Sequence, residues 1–187
     1  MSEIIEKAKS FFHSQMLDDH KDSPYGLVSN HVLLVEKEMK ECLKQFPEAN
    51  EEIALLAVRL HDVGYYPLSK EVDHAVRGEE RAKIFLGKVG VDPTIIDQVC
   101  HCVRAHRNAD VKPKTLEAKL LIFSDSASHL VDGMYIHLLH VRGSDFVLGK
   151  IERDFKDLSL FEEMQEKYKS LYEHWKWFII ELQKFYP

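Results

Sequence analysis

Apolar residues recur at three- and four-residue intervals along almost the whole chain, and no stretch alternates apolar and polar residues over the length of a strand. No hairpin dipeptide between alternating runs, internal repeat or low-complexity tract interrupts that pattern. A chain whose apolar surface lies in helical stripes can bury it only by packing helix on helix, so the expected fold class is an all-α helical bundle. With 187 residues, 45% of them hydrophobic, the chain has the material for one sizeable core, and a single domain over residues 1–187 is expected.

Residues 3–17 form an amphipathic helix with Ile4, Ile5, Ala8, Phe11 and Phe12 on one side. The turn-rich "DDHKDSPYGLVSN" ends in a Ser29/Asn30 cap signal, which predicts a second helix from about His31 to Phe46. A third, from about Asn50 to Asp62, stops at Gly64, read as a left-handed C-cap. A loop with Tyr65, Tyr66 and Pro67 leads to Asp73, a cap for the helix "HAVRGEERAKIFLGKVG". Asp92 and Pro93 give an N-cap and first-turn proline for a helix through about His106, and Thr115 caps a long helix containing "LEAKLLIFSDSASHL". Beyond lie a helical segment near 133–141 and a break at "RGSD". Phe161, Met164, Tyr168, Leu171, Trp175, Phe178 and Leu182 make a stripe suited to core packing, or alternatively to a homodimer interface.

A net charge of −6 argues against a protein that tracks a phosphate backbone, so nucleic acid is not an expected partner. No apolar run approaches the roughly 20 residues needed to span a bilayer, and no membrane association is expected. Three cysteines, Cys42, Cys100 and Cys102, form no disulfide framework and fit a reducing compartment. "MSEIIEKAKSFF" carries Glu3 and Glu6 and has no signal-peptide apolar core; the expected location is cytoplasmic. "CHC" at 100–102 lacks a second paired-cysteine block, and its thiols point about 200° apart on a helix, so zinc or redox chemistry is discounted there. Neither a Gly-rich phosphate loop nor a Gly-x-Ser-x-Gly elbow is present.

Eleven histidines remain to be accounted for. His31 shares a face with Val35 and Met39, while His61 and Asp62 lie one turn after Ala57 and Val58. His74 heads a small-residue stripe, Gly78 and Ala82, that permits close helix packing. Ile95, Val99, Cys102 and His106 fall on one face, which turns His106 inward and His101 toward water. Asp125 follows Leu121 and Ala118 at helical spacing; an inward carboxylate needs a cation or a hydrogen-bond partner. His129, one turn further, approaches the same region, and His137 and His140 suit packing or the surface. Imidazole and carboxylate donors on apolar faces are what a divalent transition-metal site requires.

The order of these residues resembles the HD-domain superfamily of metal-dependent phosphohydrolases. "HVLLV" at His31, "RLHDVG" at His61 and Asp62, "DHAVRG" at His74, "VCHCVRAH" at His106 and "EAKLLIFSD" at Asp125 carry the resemblance over about residues 27–130, and the helices from about 131 to 187 are expected to pack on that core. It implies that His31, His61, Asp62 and Asp125 hold a divalent ion (Fe, Mn, Co, Ni, Zn or Mg), and that His74 and His106 add a second in dinuclear members or line the pocket in mononuclear ones. Asp62, His74 and His106 are the expected catalytic groups, with Asp62 also holding the water that attacks a phosphoester. A phosphorylated small molecule, with nucleotides among the options, is the expected substrate. Arg77, Arg104 and Arg107 are candidates for its oxygens, in a locally basic segment with Lys112, Lys114 and Lys119, and Tyr65 for walling the pocket. "YYPLSK" after "HDVG" lacks the acidic pair of guanosine-tetraphosphate hydrolases, and "GYYP" lacks the block that surrounds the cyclic-di-GMP phosphodiesterase signature. The same six ligands also serve mixed-valent di-iron oxygenases of this fold. A non-catalytic regulatory module is the third alternative, against which the complete ligand set argues.

Overall fold

Helices α1 (Glu3–Leu17), α2 (Tyr25–Gln45), α3 (Glu51–Leu60), α4 (His74–Lys88), α5 (Pro93–Ala105) and α6 (Leu116–His129) follow one another through the first two thirds of the chain. The structure, a computed structural model, describes residues 3–17, 25–65 and 71–185, and no strand occurs among them. The all-α expectation is met. The chain divides into two compact units, Met1–Ile122 and Phe123–Pro187, with the boundary inside α6.

Unit 1 is built around α3. Every residue from Ile53 to Leu60 is buried, as befits a helix surrounded on several sides, and α1, α2 and α5 pack against it while α4 pairs with α5. Ile5, Ala8 and Phe12 of α1 are buried, and Phe11 stacks on Phe85 of α4 at 4.4 Å between centroids. Asn50 caps α3 by accepting from the Ile53 amide at 3.2 Å, and its own amide donates to Glu117 at 2.8 Å. The expected caps also hold at Asp73, Asp92 and Thr115, which accept from the amides of Ala75 (2.8 Å), Thr94 (2.8 Å) and Ala118 (3.2 Å).

Two sequence expectations are corrected here. Helix α2 begins at Tyr25, six residues before His31, and runs through the Ser29/Asn30 signal. Ser and Asn cost a helix interior only a few tenths of a kcal/mol, and Val28 already stands one turn before Val32, so the continuing apolar stripe outweighs the capping preference. Gly64 is not a left-handed cap: positive φ among the described residues occurs at Asn108, Gly90 and Gly143. Gly64 is required by close approach, since a Cβ there would lie 2.2 Å from the His74 carbonyl oxygen and 2.3 Å from the Gly78 nitrogen. Tyr66 and Pro67, and the loop before Tyr25, lie outside the described residues.

Unit 2 continues α6 into α7 (Met134–Arg142), α8 (Ser144–Leu158), α9 (Glu162–Gln165) and α10 (Lys169–Gln183), with single 3₁₀ turns before α9 and α10. Gly143, at φ 81°, makes the expected break at "RGSD". Helix α8 packs on α7 and α10. Tyr168 is buried against Phe123, and Tyr135 meets Trp175 edge-on, whose indole N–H donates to the Leu130 carbonyl at 2.9 Å. The aromatic stripe is only partly buried, with Leu171 39% and Phe178 38% exposed. No helix among the described residues is long and apolar enough to cross a membrane.

Candidate metal centre

Why His61 and Asp62 stand side by side at the end of an apolar helix is answered by the groups they meet. His61 is fully buried, and its Nδ1–H donates to the Val58 carbonyl at 2.8 Å. A carbonyl only accepts, so the neutral ring carries its hydrogen on Nδ1 and presents the Nε2 lone pair. His106 repeats the arrangement at the end of α5, donating from Nδ1 to the Val103 carbonyl at 2.6 Å.

The Nε2 atoms converge in two pairs. Those of His61 and His31 are 3.4 Å apart, and those of His74 and His106 are 3.1 Å apart. Two nitrogens about 2.1 Å from one ion, at tetrahedral or right angles, lie about 3.0–3.4 Å from each other. Asp62 stands between the pairs and divides its oxygens. Oδ2 lies 3.5 Å from His61 Nε2 and 3.9 Å from His31 Nε2, while Oδ1 lies 3.4 Å from His74 Nε2 and 3.8 Å from His106 Nε2. Each nitrogen pair has the spacing of two ligands on one ion, and Asp62 brings a carboxylate oxygen to each, so the donor set fits a divalent ion in each half.

Packing fixes this geometry. The buried ion pair of Glu36 with Arg59 ties α2 to α3, bringing His31 opposite His61, and Lys40 adds a contact to Glu36 at 2.7 Å. The Gly64–Gly78 approach seats the start of α4 on the turn after α3 and so brings His74 to Asp62; Arg81 reinforces it by donating to the Val63 carbonyl at 2.9 Å. The small-residue stripe read from the sequence at Gly78 and Ala82 therefore serves the site.

Electrostatics follow the geometry. Burial alone would raise the Asp62 carboxyl, but His61, His74, His31 and His106 outweigh it and hold the pKa down at about 2. Burial lowers the His74 pKa against the pull of Asp62, favouring the neutral, ligand-competent ring.

The other expected site residues are placed as follows. Tyr65 meets the His74 ring edge-on at 5.5 Å, and Arg77 lies half-buried on α4. Arg107 pairs with Asp73, and Arg104 donates to Asp110 at 3.0 Å with Glu79 at 3.7 Å, so both guanidiniums already hold carboxylates. His101 Nε2 accepts from the Lys114 amide at 2.9 Å. Cys100 and Cys102 are buried free thiols. In unit 2, Asp125 and His129 occupy one face of α6, 3.7 Å apart at their nearest polar atoms. Sequence reasoning missed the cluster beside them, Tyr135, Lys150 and Asp154. Its signal was available: Val147, Ile151, Asp154 and Leu158, all buried, repeat the spacing that turned His106 inward.

Comparison with known proteins bears on the same residues. The HD domain family matches residues 28–129, a span that holds all six candidate ligands from His31 to Asp125. The crystal structure of a predicted HD superfamily hydrolase from an uncultured Thermotogales bacterium is similar at 19% identity and a TM-score of 0.60, covering 88% of this chain and 91% of that one. At that identity the likeness is one of fold. Among curated proteins there is no match. Since the family match spans more than half of the 187 residues and meets a fold of the same kind, the chain belongs to the HD-domain family.

Proposed function

We infer that the chain is a metal-dependent phosphohydrolase acting on a phosphomonoester or phosphodiester of a small molecule, nucleotides included. The observation that supports this most is the division of Asp62 between two histidine pairs. His31, His61, Asp62 and, from the family pattern, Asp125 would hold one ion; His74 and His106, sharing Asp62, would hold a second. A donor set this rich in imidazole suits Mn, Fe, Co, Ni or Zn better than Mg, which prefers oxygen and water. When bound, the ion supplies Lewis acidity, polarising a phosphoryl oxygen and acidifying water.

The chain's own groups do the rest. Asp62, ionised far below neutrality, accepts a hydrogen bond from the attacking water and orients it. With one ion present, His74, kept neutral by burial, and His106 line the pocket as groups able to take or give a proton. Arg107, next to His106, would exchange Asp73 for a substrate oxygen; Arg77 and Arg104 are the further cationic candidates, and Tyr65 flanks His74.

The test is a screen of metal-analysed protein against a phosphoester panel with Mn, Fe, Co, Ni, Zn and Mg in turn. Turnover that chelation abolishes and one ion restores is expected. Protein that binds metal yet turns over no phosphoester with any ion would overturn the reading.

A further inference from the structure

We propose that His129, held by Lys150 and Asp154, is a positioning residue for the Asp125 carboxylate; the inference rests on the reading of Asp125 as a metal ligand. All four side chains belong to unit 2. Asp125 and His129 are one turn apart on α6, and Lys150 and Asp154 are one turn apart on α8. Asp154 is only 4% exposed, yet its carboxylate accepts from the Tyr135 hydroxyl at 2.7 Å and from Lys150 Nζ at 2.9 and 3.0 Å.

An ammonium has three N–H groups and no lone pair. Lys150 directs two at Asp154, and its Nζ stands 3.1 Å from His129 Nδ1. Nδ1 also lies 3.4 Å from Asp154 Oδ2, but the ammonium is nearer and already covers that carboxylate, so Nδ1 accepts from Lys150 and the hydrogen of the neutral ring falls on Nε2. Nε2 is the atom facing Asp125 Oδ1 at 3.7 Å. The ring is 7% exposed and its Nδ1 is held by Lys150, so its orientation is fixed from that end. At 3.7 Å the N–H lies beyond direct hydrogen-bond reach of Oδ1, so it acts on the carboxylate electrostatically and biases the direction in which Asp125 meets an ion. Outer partners of this kind orient metal ligands and are worth 10–100-fold in metal affinity.

A structural purpose alone accounts poorly for the cluster. Burying the Asp154 carboxylate beside a partly exposed ammonium costs desolvation that an apolar side chain would avoid, and Val147, Ile151 and Leu158 show what else this face of α8 carries. What the polar cluster adds is direction: one ring tautomer and one ring orientation.

The test is Mn²⁺ affinity of the full chain by competition with a chelator, for wild type, Asp125→Asn, His129→Leu, His129→Gln and Lys150→Met, each checked for folding by circular dichroism. Asp125→Asn should lose the ion. His129→Leu should weaken binding about 10–100-fold; His129→Gln, whose amide N–H can replace that of Nε2, should recover most of it, and Lys150→Met should weaken binding in the same direction. If His129→Leu proves unfolded, the Gln and Lys150→Met variants decide. Wild-type affinity in His129→Leu and Lys150→Met beside loss in Asp125→Asn would overturn the positioning role and leave the ligand reading standing. Loss in His129→Gln as deep as in Asp125→Asn would make His129 a ligand and overturn the proposal too. Unchanged affinity in Asp125→Asn would remove the ligand reading and this inference with it.

Discussion

Gly64 and Gly78 touch backbone to backbone: a Cβ on the first would lie 2.3 Å from the nitrogen of the second. Neither partner is a flexible side chain that can swing aside. Gly64→Ala must therefore push the start of α4 away from the turn after α3, carrying His74 from Asp62. A loss of about 3 kcal/mol is expected, at the upper end of overpacking effects. Gly78→Ala should cost less, about 1 kcal/mol, because its Cβ would meet the Val103 side chain at 3.2 Å and the His61 carbonyl at 3.3 Å. Urea midpoints of the two variants give the ranking, and the reverse order would contradict the contact.

Asp62 reaches both histidine pairs, one carboxylate oxygen toward each. Asp62→Asn keeps its shape and removes its charge, so phosphoester turnover should fall by about 10²–10⁴-fold, and Asp62→Ala should abolish it. Wild-type turnover in a purified, folded Asp62→Ala protein would refute the assignment.

Acid should destabilise the chelator-treated protein in a defined order. Burial sets the His74 pKa below its ordinary 6.5, so the unfolded chain takes up that proton first as pH falls. Stability owed to neutral His74 is complete above 6.5 and declines as pH drops below it toward the folded value. Asp62 acts in the same direction lower down: burial opposes its ionisation, the four histidines prevail, and its contribution, present above 3.8, is lost toward about 2. Urea midpoints measured from neutral pH downward should fall first below 6.5, and less in His74→Gln. Identical profiles for wild type and variant across that window would count against the buried neutral ring.

The thiols should be silent. Burial, with Glu79 nearby, pushes Cys100 up to about 11, and burial pushes Cys102 up to about 12, leaving almost no thiolate at neutral pH. A thiol reagent at neutral pH should label neither residue until the protein is unfolded in urea. Rapid labelling of the native protein would reopen chemistry at "CHC".

Much of the site was legible because helical spacing carries it. His31 with Val35 and Met39, His106 with Val99 and Cys102, and the caps at Asp73, Asp92 and Thr115 are local patterns, and local patterns survive folding. What escaped is non-local. The reason for Gly64 lies in α4, ten and more residues downstream, and a glycine's need for room looks in sequence like a need for positive φ. The α2 start was misplaced because capping residues were weighed above a continuing stripe. Lys150 and Asp154 resemble a solvated i, i+4 pair on α8 until the apolar company of Asp154 is noticed. Their meeting with His129 depends on packing between two helices, which spacing along one of them does not reveal.

His61 and His106 each spend Nδ1 on a carbonyl three residues back, in the last turn of α3 and of α5, where a helix has no amide of its own to offer. Terminating the helix and aiming the ring are thus one act. The lengths of α3 and α5 are consequently a measuring device: deleting one residue within either would rotate its terminal imidazole by about 100° away from the centre, even where the hydrophobic seam could be re-formed. Insertions in the loop between Arg107 and Thr115, outside either helix, face no such bookkeeping.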